Sequence, residues 1–252
     1  MNTTLGRSFG LVATTILLSS FEHGCLVSPD RTSGILGRSA RPAPASPEGV
    51  VRLVEWCWEH RDLDHYTQVF TDDYRFVFPS ADSSGNAFPE HVLRREDELE
   101  AAHHLFETGT SELPPARRIR VDLERDLLAL PDSRPGRNAT WHRVVRSRAR
   151  LAVETGDRSY RASDALRFFL VRGDSALIPP ELAAQGFVPD TGRWYLERWE
   201  EENSDPGLAT SGGPWRPASF ATQPTEIVTW GQLKVLYRGA GAQTARGGAA
   251  TR

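Results

Sequence analysis

Apolar positions recur at two different spacings along the chain, and the switch between them divides its middle in two. From Ser46 the spacing is helical. Val50, Leu53, Val54, Cys57 and Trp58 fall on one face, behind Ser46 as N-cap and Pro47 in the first turn. Asp62 caps a second helix with Leu63, Tyr66, Val69 and Phe70 on its apolar face. "TDDY" closes that helix, and Tyr74, Phe76 and Phe78 then alternate as a strand. A loop rich in Ser, Asp and Gly, Pro79 to Pro89, leads to a third helix, "REDELEAAHHLFE", with Leu99, Ala102, His103 and Phe106 on one face.

Beyond this point the period is two. Ile119, Val121 and Leu123 alternate with Arg118, Arg120, Asp122 and Glu124. In "WHRVVRSRARLAVET", Val145, Ser147, Ala149, Leu151 and Val153 take one side and Arg146, Arg148 and Arg150 the other. "YRASDALRFFLVR" and "RWYLERWEE" add two more strands. The alternation in the last places Trp199 with Tyr195 and Glu197, and Trp194 with Leu196 and Arg198. Arginines on one face and small or apolar residues on the other describe an antiparallel sheet with one wet and one covered side. A last ordered segment, "TWGQLKVLYR", carries capping-box spacing at Thr229 and Gln232. It predicts a short helix that docks through Leu233, Leu236, Tyr237 and Trp230, and a final edge strand is the competing reading.

Helix, helix, strand, helix and a run of long strands is an α+β order. It resembles the nuclear transport factor 2-like superfamily, which includes SnoaL-like polyketide cyclases, ketosteroid isomerase and scytalone dehydratase. The residues that carry the resemblance are "VVRLVEWCWEHRDLDHYTQVFTDDYRFVF", "REDELEAAHHLFE" and "GRWYLERWEEE", within a domain assigned to residues 46–203. The resemblance implies a cone, in which a curved antiparallel sheet wraps the N-terminal helices around a pocket. Its expected lining is Trp58, Tyr66, His103, Phe106, Asp164 and Leu166. The weak candidates for chemistry are Asp164, whose apolar neighbours would raise its pKa, with His103 and Tyr66. Each also has a plainer role, as a paired acid, a satisfied core histidine and a packed ring. The family's enzymes use different residues in different members, so no catalytic motif transfers.

Composition narrows the remaining choices. At 252 residues, 25% charged and 39% hydrophobic, the bulk of the chain is globular. The formal net charge of -3 offers no basic footprint for nucleic acid. Among 30 basic Lys and Arg residues only one, Lys234, is a lysine, as codon bias in a GC-rich genome would produce. Two cysteines, Cys25 and Cys57, give no disulfide framework, and Cys57 reads as a small buried hydrophobe. The seven histidines show no metal-ligand spacing, and no cofactor is expected.

The N-terminus points to export. Arg7 precedes the apolar run Phe9 to Leu18, too short for a mature span but suited to a secretory signal over residues 1–25. It resembles a bacterial lipoprotein signal, in which cleavage before Cys25 leaves its thiol for lipidation. Gly24 matches the small residue before the cut, and Glu22 departs from the usual aliphatic one. Residues 26–45 read as a Pro/Ser/Ala tether, 204–238 as a connector with the docking segment, and 239–252 as a disordered tail.

The leading expectation is therefore an exported, periplasmic or membrane-anchored, non-catalytic domain that binds a small apolar molecule or acts as a scaffold. The alternative is a SnoaL-like isomerase, cyclase or dehydratase. A homodimer through the sheet face is compatible with either, and the membrane would be met only through the lipid anchor.

Overall fold

The computed structural model describes residues 40–79, 91–202 and 224–239. Every element below belongs to the unit Arg41–Arg252. Helix α1 (Pro47–His60) starts where the sequence signals say. The Ser46 hydroxyl accepts the Gly49 N–H at 3.0 Å, and the helix ends on Arg61 in the left-handed region at φ 53°. Asp62 caps α2 (Leu63–Thr67) by accepting from the His65 N–H at 2.9 Å. This helix is shorter than its apolar period suggests. Phe70 already opens strand β1 (Phe70–Val77), because its backbone pairs with Leu196 of the last long strand. The pairing then breaks between Phe70 and Arg75, and within the break the Asp72 N–H donates to Leu177 O at 2.8 Å.

Strand β2 (Val92–Arg94) runs straight into α3 (Arg95–His103), and a π-helical turn (His104–Thr108) follows. Then come β3 (Arg118–Leu123), β4 (Ala129–Pro131), β5 (His142–Glu154), β6 (Ser159–Arg172), the short α4 (Pro180–Ala184), β7 (Trp194–Glu202), β8 (Thr225–Ile227) and α5 (Trp230–Tyr237). The sheet order is β2-β1-β7-β6-β5-β3, with β4 beside β5 and β8 beside β6. Most neighbours are antiparallel, but β1–β7 and β6–β8 are parallel, so the sheet is mixed where the sequence suggested antiparallel pairing throughout.

The faces of the sheet follow the pleat. Val145, Ser147, Ala149, Leu151 and Val153 are buried, whereas Arg146, Arg148 and Arg150 are exposed. On β6 the inward set is Tyr160, Ala162, Asp164, Leu166, Phe168 and Leu170, all buried. On β7 the simple alternation fails. Phe169 pairs with Arg198 but Leu170 pairs with Leu196, which leaves Glu197 as an extra bulged residue. A bulge shifts the phase of a strand by one. Leu196 therefore joins Trp199 in the core, and Glu197 turns outward to Arg134 and Arg137.

Helix α5 covers the concave side. Thr229 and Gln232 form the capping box, with the Thr229 Oγ1 accepting the Gln232 N–H at 3.1 Å and Gln232 Oε1 accepting the Thr229 N–H at 2.7 Å. The segment is thus a helix and not an edge strand. Trp230, Leu233 and Tyr237 are buried as the pattern implies, but Leu236 is 44% exposed and Lys234 takes the inner place at 2%. Gly231 lies so close to the Phe78 ring that an added Cβ would come within 2.5 Å of it. Only glycine lets the helix approach this closely.

Candidate functional site

The centre of the cone is a charged cluster enclosed by aromatic rings. Glu98, 1% exposed, lies on the inner stripe of α3 with Ala101 and Ala102, at helical spacing. One of its oxygens accepts the Tyr66 hydroxyl at 2.6 Å. The other accepts the Tyr74 hydroxyl at 3.2 Å and the Lys234 Nζ at 2.8 Å. The same ammonium sits 3.7 Å from the centroids of both Phe76 and Trp199, and 5.9 Å from that of Trp58. These are cation–π distances. Five elements thus meet at the Glu98 carboxylate of α3 and its ammonium partner: α1 through Trp58, the end of α2 through Tyr66, β1 through Tyr74 and Phe76, β7 through Trp199, and α5 through Lys234.

Burial dominates the electrostatics. It pulls the Lys234 ammonium down to about 8, against the opposing attraction of Glu98. Burial, reinforced by the negative charge of Glu98, holds the Tyr66 and Tyr74 hydroxyls well above the usual phenol range. They are hydrogen-bond donors to a carboxylate and stay protonated.

A pair of carboxylates holds the N-terminus of α5. Glu201 Oε2 accepts the Gly231 N–H at 2.9 Å, and Asp164 Oδ2 accepts the Trp230 N–H at 3.3 Å. Burial, and then the charge of Asp164, pushes the Glu201 carboxyl up to about 8. The N–H groups of a helix start favour negative charge, which partly offsets the cost of packing two acids together.

The six expected pocket residues go to different places. Tyr66 is in the Glu98 cluster. Trp58 and Phe106 pack edge-on at 5.6 Å between ring centroids, and Trp58 also meets Trp230 at 4.7 Å. Leu166 is a core residue. Asp164 faces inward, but its part is to hold α5. His103 does not line the interior: its side chain is 45% exposed and bonds Glu107 at 3.0 Å. The reason is that Glu98, a polar residue, occupies the inner stripe of α3, so a period counted on apolar residues alone is out of phase. Asp164, His103 and Tyr66 therefore have separate partners and do not form one constellation. Cys57 is buried, and burial pushes its thiol up to about 12, as suits a packed side chain and not a nucleophile. Cys25 lies outside the described residues.

The sequence reading missed Glu98, Tyr74, Trp199, Glu201 and Lys234 as site residues. Two of them, Lys234 and Glu201, carried a signal. Lys234 is the one lysine in an arginine-rich chain, and Glu201 alternates with Trp199 on a strand whose inner face is covered.

Element order and sheet make this an α+β fold in which helices pack on one side of a mixed sheet, with the last described helix, α5, covering that side. No protein-family profile matches the chain, and no curated protein matches it. Solved structures similar to it include a nuclear transport factor 2-like superfamily protein from Salmonella enterica, at 9% identity and TM-score 0.40, covering 65% of this chain and 92% of that one. A ketosteroid isomerase-like protein from Erwinia carotovora has 13% identity and TM-score 0.38, covering 63% and 94%. A protein of unknown function from Mycobacterium tuberculosis has 16% identity and TM-score 0.39, covering 62% and 69%.

Proposed function

We propose that this is an exported, non-catalytic scaffold domain of the SnoaL-like type, which meets a membrane only where Cys25 is lipidated, through that anchor and the tether behind it. The observation that carries the scaffold reading is the seat of α5. Lys234, Trp230, Leu233 and Tyr237 occupy the concave side on which a ligand of such a cone would rest. The arginine-bearing outer face remains for contact with a second copy of the chain. Native mass spectrometry of protein purified from the exported fraction tests this. The expected mass is that of the chain alone, or of its dimer, with any lipid on Cys25. A small molecule retained in stoichiometric amount would overturn the scaffold reading and favour the isomerase, cyclase or dehydratase alternative. Fractionation tests the export: a cytosolic chain beginning at Met1 would remove that part of the proposal.

A further inference from the structure

Lys234 is the only lysine among 30 Lys and Arg residues, and it occupies the most enclosed cationic position among the described residues. Codon bias accounts for arginine at the other sites and leaves this exception unexplained. The surroundings explain it. An ammonium is a compact charge with three donors in a tetrahedron, whereas a guanidinium is a wide planar fork. Here the cation stands 3.7 Å from the Phe76 and the Trp199 ring centroids while bonded to Glu98. Glu98 is in turn fixed by two tyrosine hydroxyls. A carboxylate floor with aromatic walls selects a small organic cation, by charge and by ring quadrupole together. The aliphatic stem of Lys234 supplies the apolar remainder.

We infer that the interior of the cone is a recognition site for a primary alkylammonium, with the Lys234 side chain of α5 as its built-in occupant. The inference rests on the scaffold reading, in which α5 fills the cone, and adds what kind of group the cone is made to hold. A tethered occupant has an effective concentration of about millimolar, and burial of Trp230, Leu233 and Tyr237 adds to its hold. A free amine therefore competes only where the tether is weakened or its own concentration is high.

The test vacates the site and refills it. Lys234→Ala removes the stem and the ammonium, and n-propylammonium chloride restores an ammonium on a short alkyl stem. The variant's melting temperature should rise by roughly 5–10 °C at an amine concentration a hundredfold above its Kd. n-Propanol and potassium chloride at equal concentration should leave it unchanged. Equal rescue by propanol, or no rescue by the amine, overturns the inference.

If Lys234→Ala does not fold, the wild-type chain decides. An endoproteinase that cuts only after lysine can release only Val235–Arg252, and a 2% exposed Lys234 must leave the cone to be cut. n-Propylammonium in large excess over millimolar should speed this cleavage at least about twofold where propanol does not, and equal rates would refute the site. A retained small molecule in native mass spectrometry would remove the scaffold reading and leave the rescue result standing. Rescue by propanol would do the reverse.

Discussion

An ion pair between two helices on the inner side of the sheet and one between two strands on its outer face have similar separations in opposite settings. Inside, Lys234 and Glu98 meet at 2.8 Å with their side chains 2% and 1% exposed. Outside, Arg167 meets Glu202 at 2.6 Å with both side chains about a third exposed, and it also reaches Glu200 at 3.4 Å. The separations are nearly equal, so Coulomb attraction alone does not distinguish them. Solvation does. An exposed pair keeps its water and contributes about 0–1 kcal/mol. A buried pair has lost water from both ions, so its net contribution is small, yet removal of one partner strands the other. Interatomic distance is therefore a poor guide to energetic weight, and burial is a good one.

The largest expected effect follows from that stranding. Glu98→Ala should cost about 3–5 kcal/mol in denaturant unfolding, because the Lys234 ammonium and two tyrosine hydroxyls lose their common acceptor. The paired replacement Glu98→Gln with Lys234→Met keeps the volume and removes both charges. It should recover most of the loss, and strong non-additivity is the signature of residues that act as a unit. If the single and double variants were equally unstable, the pair would be a packing feature and the contrast between the faces would fail.

The inner face should also show in the pH dependence of stability. Glu201 has an ordinary value of 4.5 and stands at about 8 in the fold. Between these limits the native state holds a proton that the unfolded chain has released, so this group makes stability fall as pH rises. Lys234 has an ordinary value of 10.5 and stands at about 8. Above pH 8 the unfolded chain holds the extra proton, so this group makes stability rise towards pH 10.5. Each limb has a slope of at most about 1.4 kcal/mol per pH unit, and they meet in a minimum near pH 8. The wild-type curve minus that of Glu201→Gln isolates the falling limb, and minus that of Lys234→Met the rising one. Difference curves that are flat from about pH 5 to 10 would mean that neither group is perturbed by burial.

What could be read in the sequence and what could not divide along the same line. The Ser46 cap, the alternation of β5 and the capping box at Thr229 are local, each resting on residues within one turn or one pleat of each other. Glu98 and Lys234 are 136 positions apart. Each reads as a surface residue until the other is placed beside it, so Leu236 looked like the docking residue and Lys234 did not. The bulge at Glu197 is equally hidden. It is stabilised by Arg134 and Arg137 from the loop before β5, and nothing in "RWYLERWEE" marks where the pleat slips. For the same reason His103 took the place of Glu98 on the inner stripe of α3, because local periodicity assigns acidic residues to water by default.

The smallest effect is expected on the outer face, where it sharpens the comparison most. Arg148 lies in the middle of β5, opposite Ala165 of β6, with Arg146 and Arg150 two residues away on the same face. Its side chain is exposed, so little desolvation accompanies folding. Its nearest like charges on the strand are both arginines, so the charge reversal in Arg148→Glu replaces repulsion with attraction. Stability of the monomer should change by no more than about 0.5 kcal/mol, with the sign favouring the variant at low salt and vanishing as salt screens the charges. Sedimentation separates the two roles open to this face. A dimer built on it should weaken in Arg148→Glu while the melting temperature of the monomer holds. A monomer loss above about 2 kcal/mol would place Arg148 in a desolvated contact and erase the difference between the two faces.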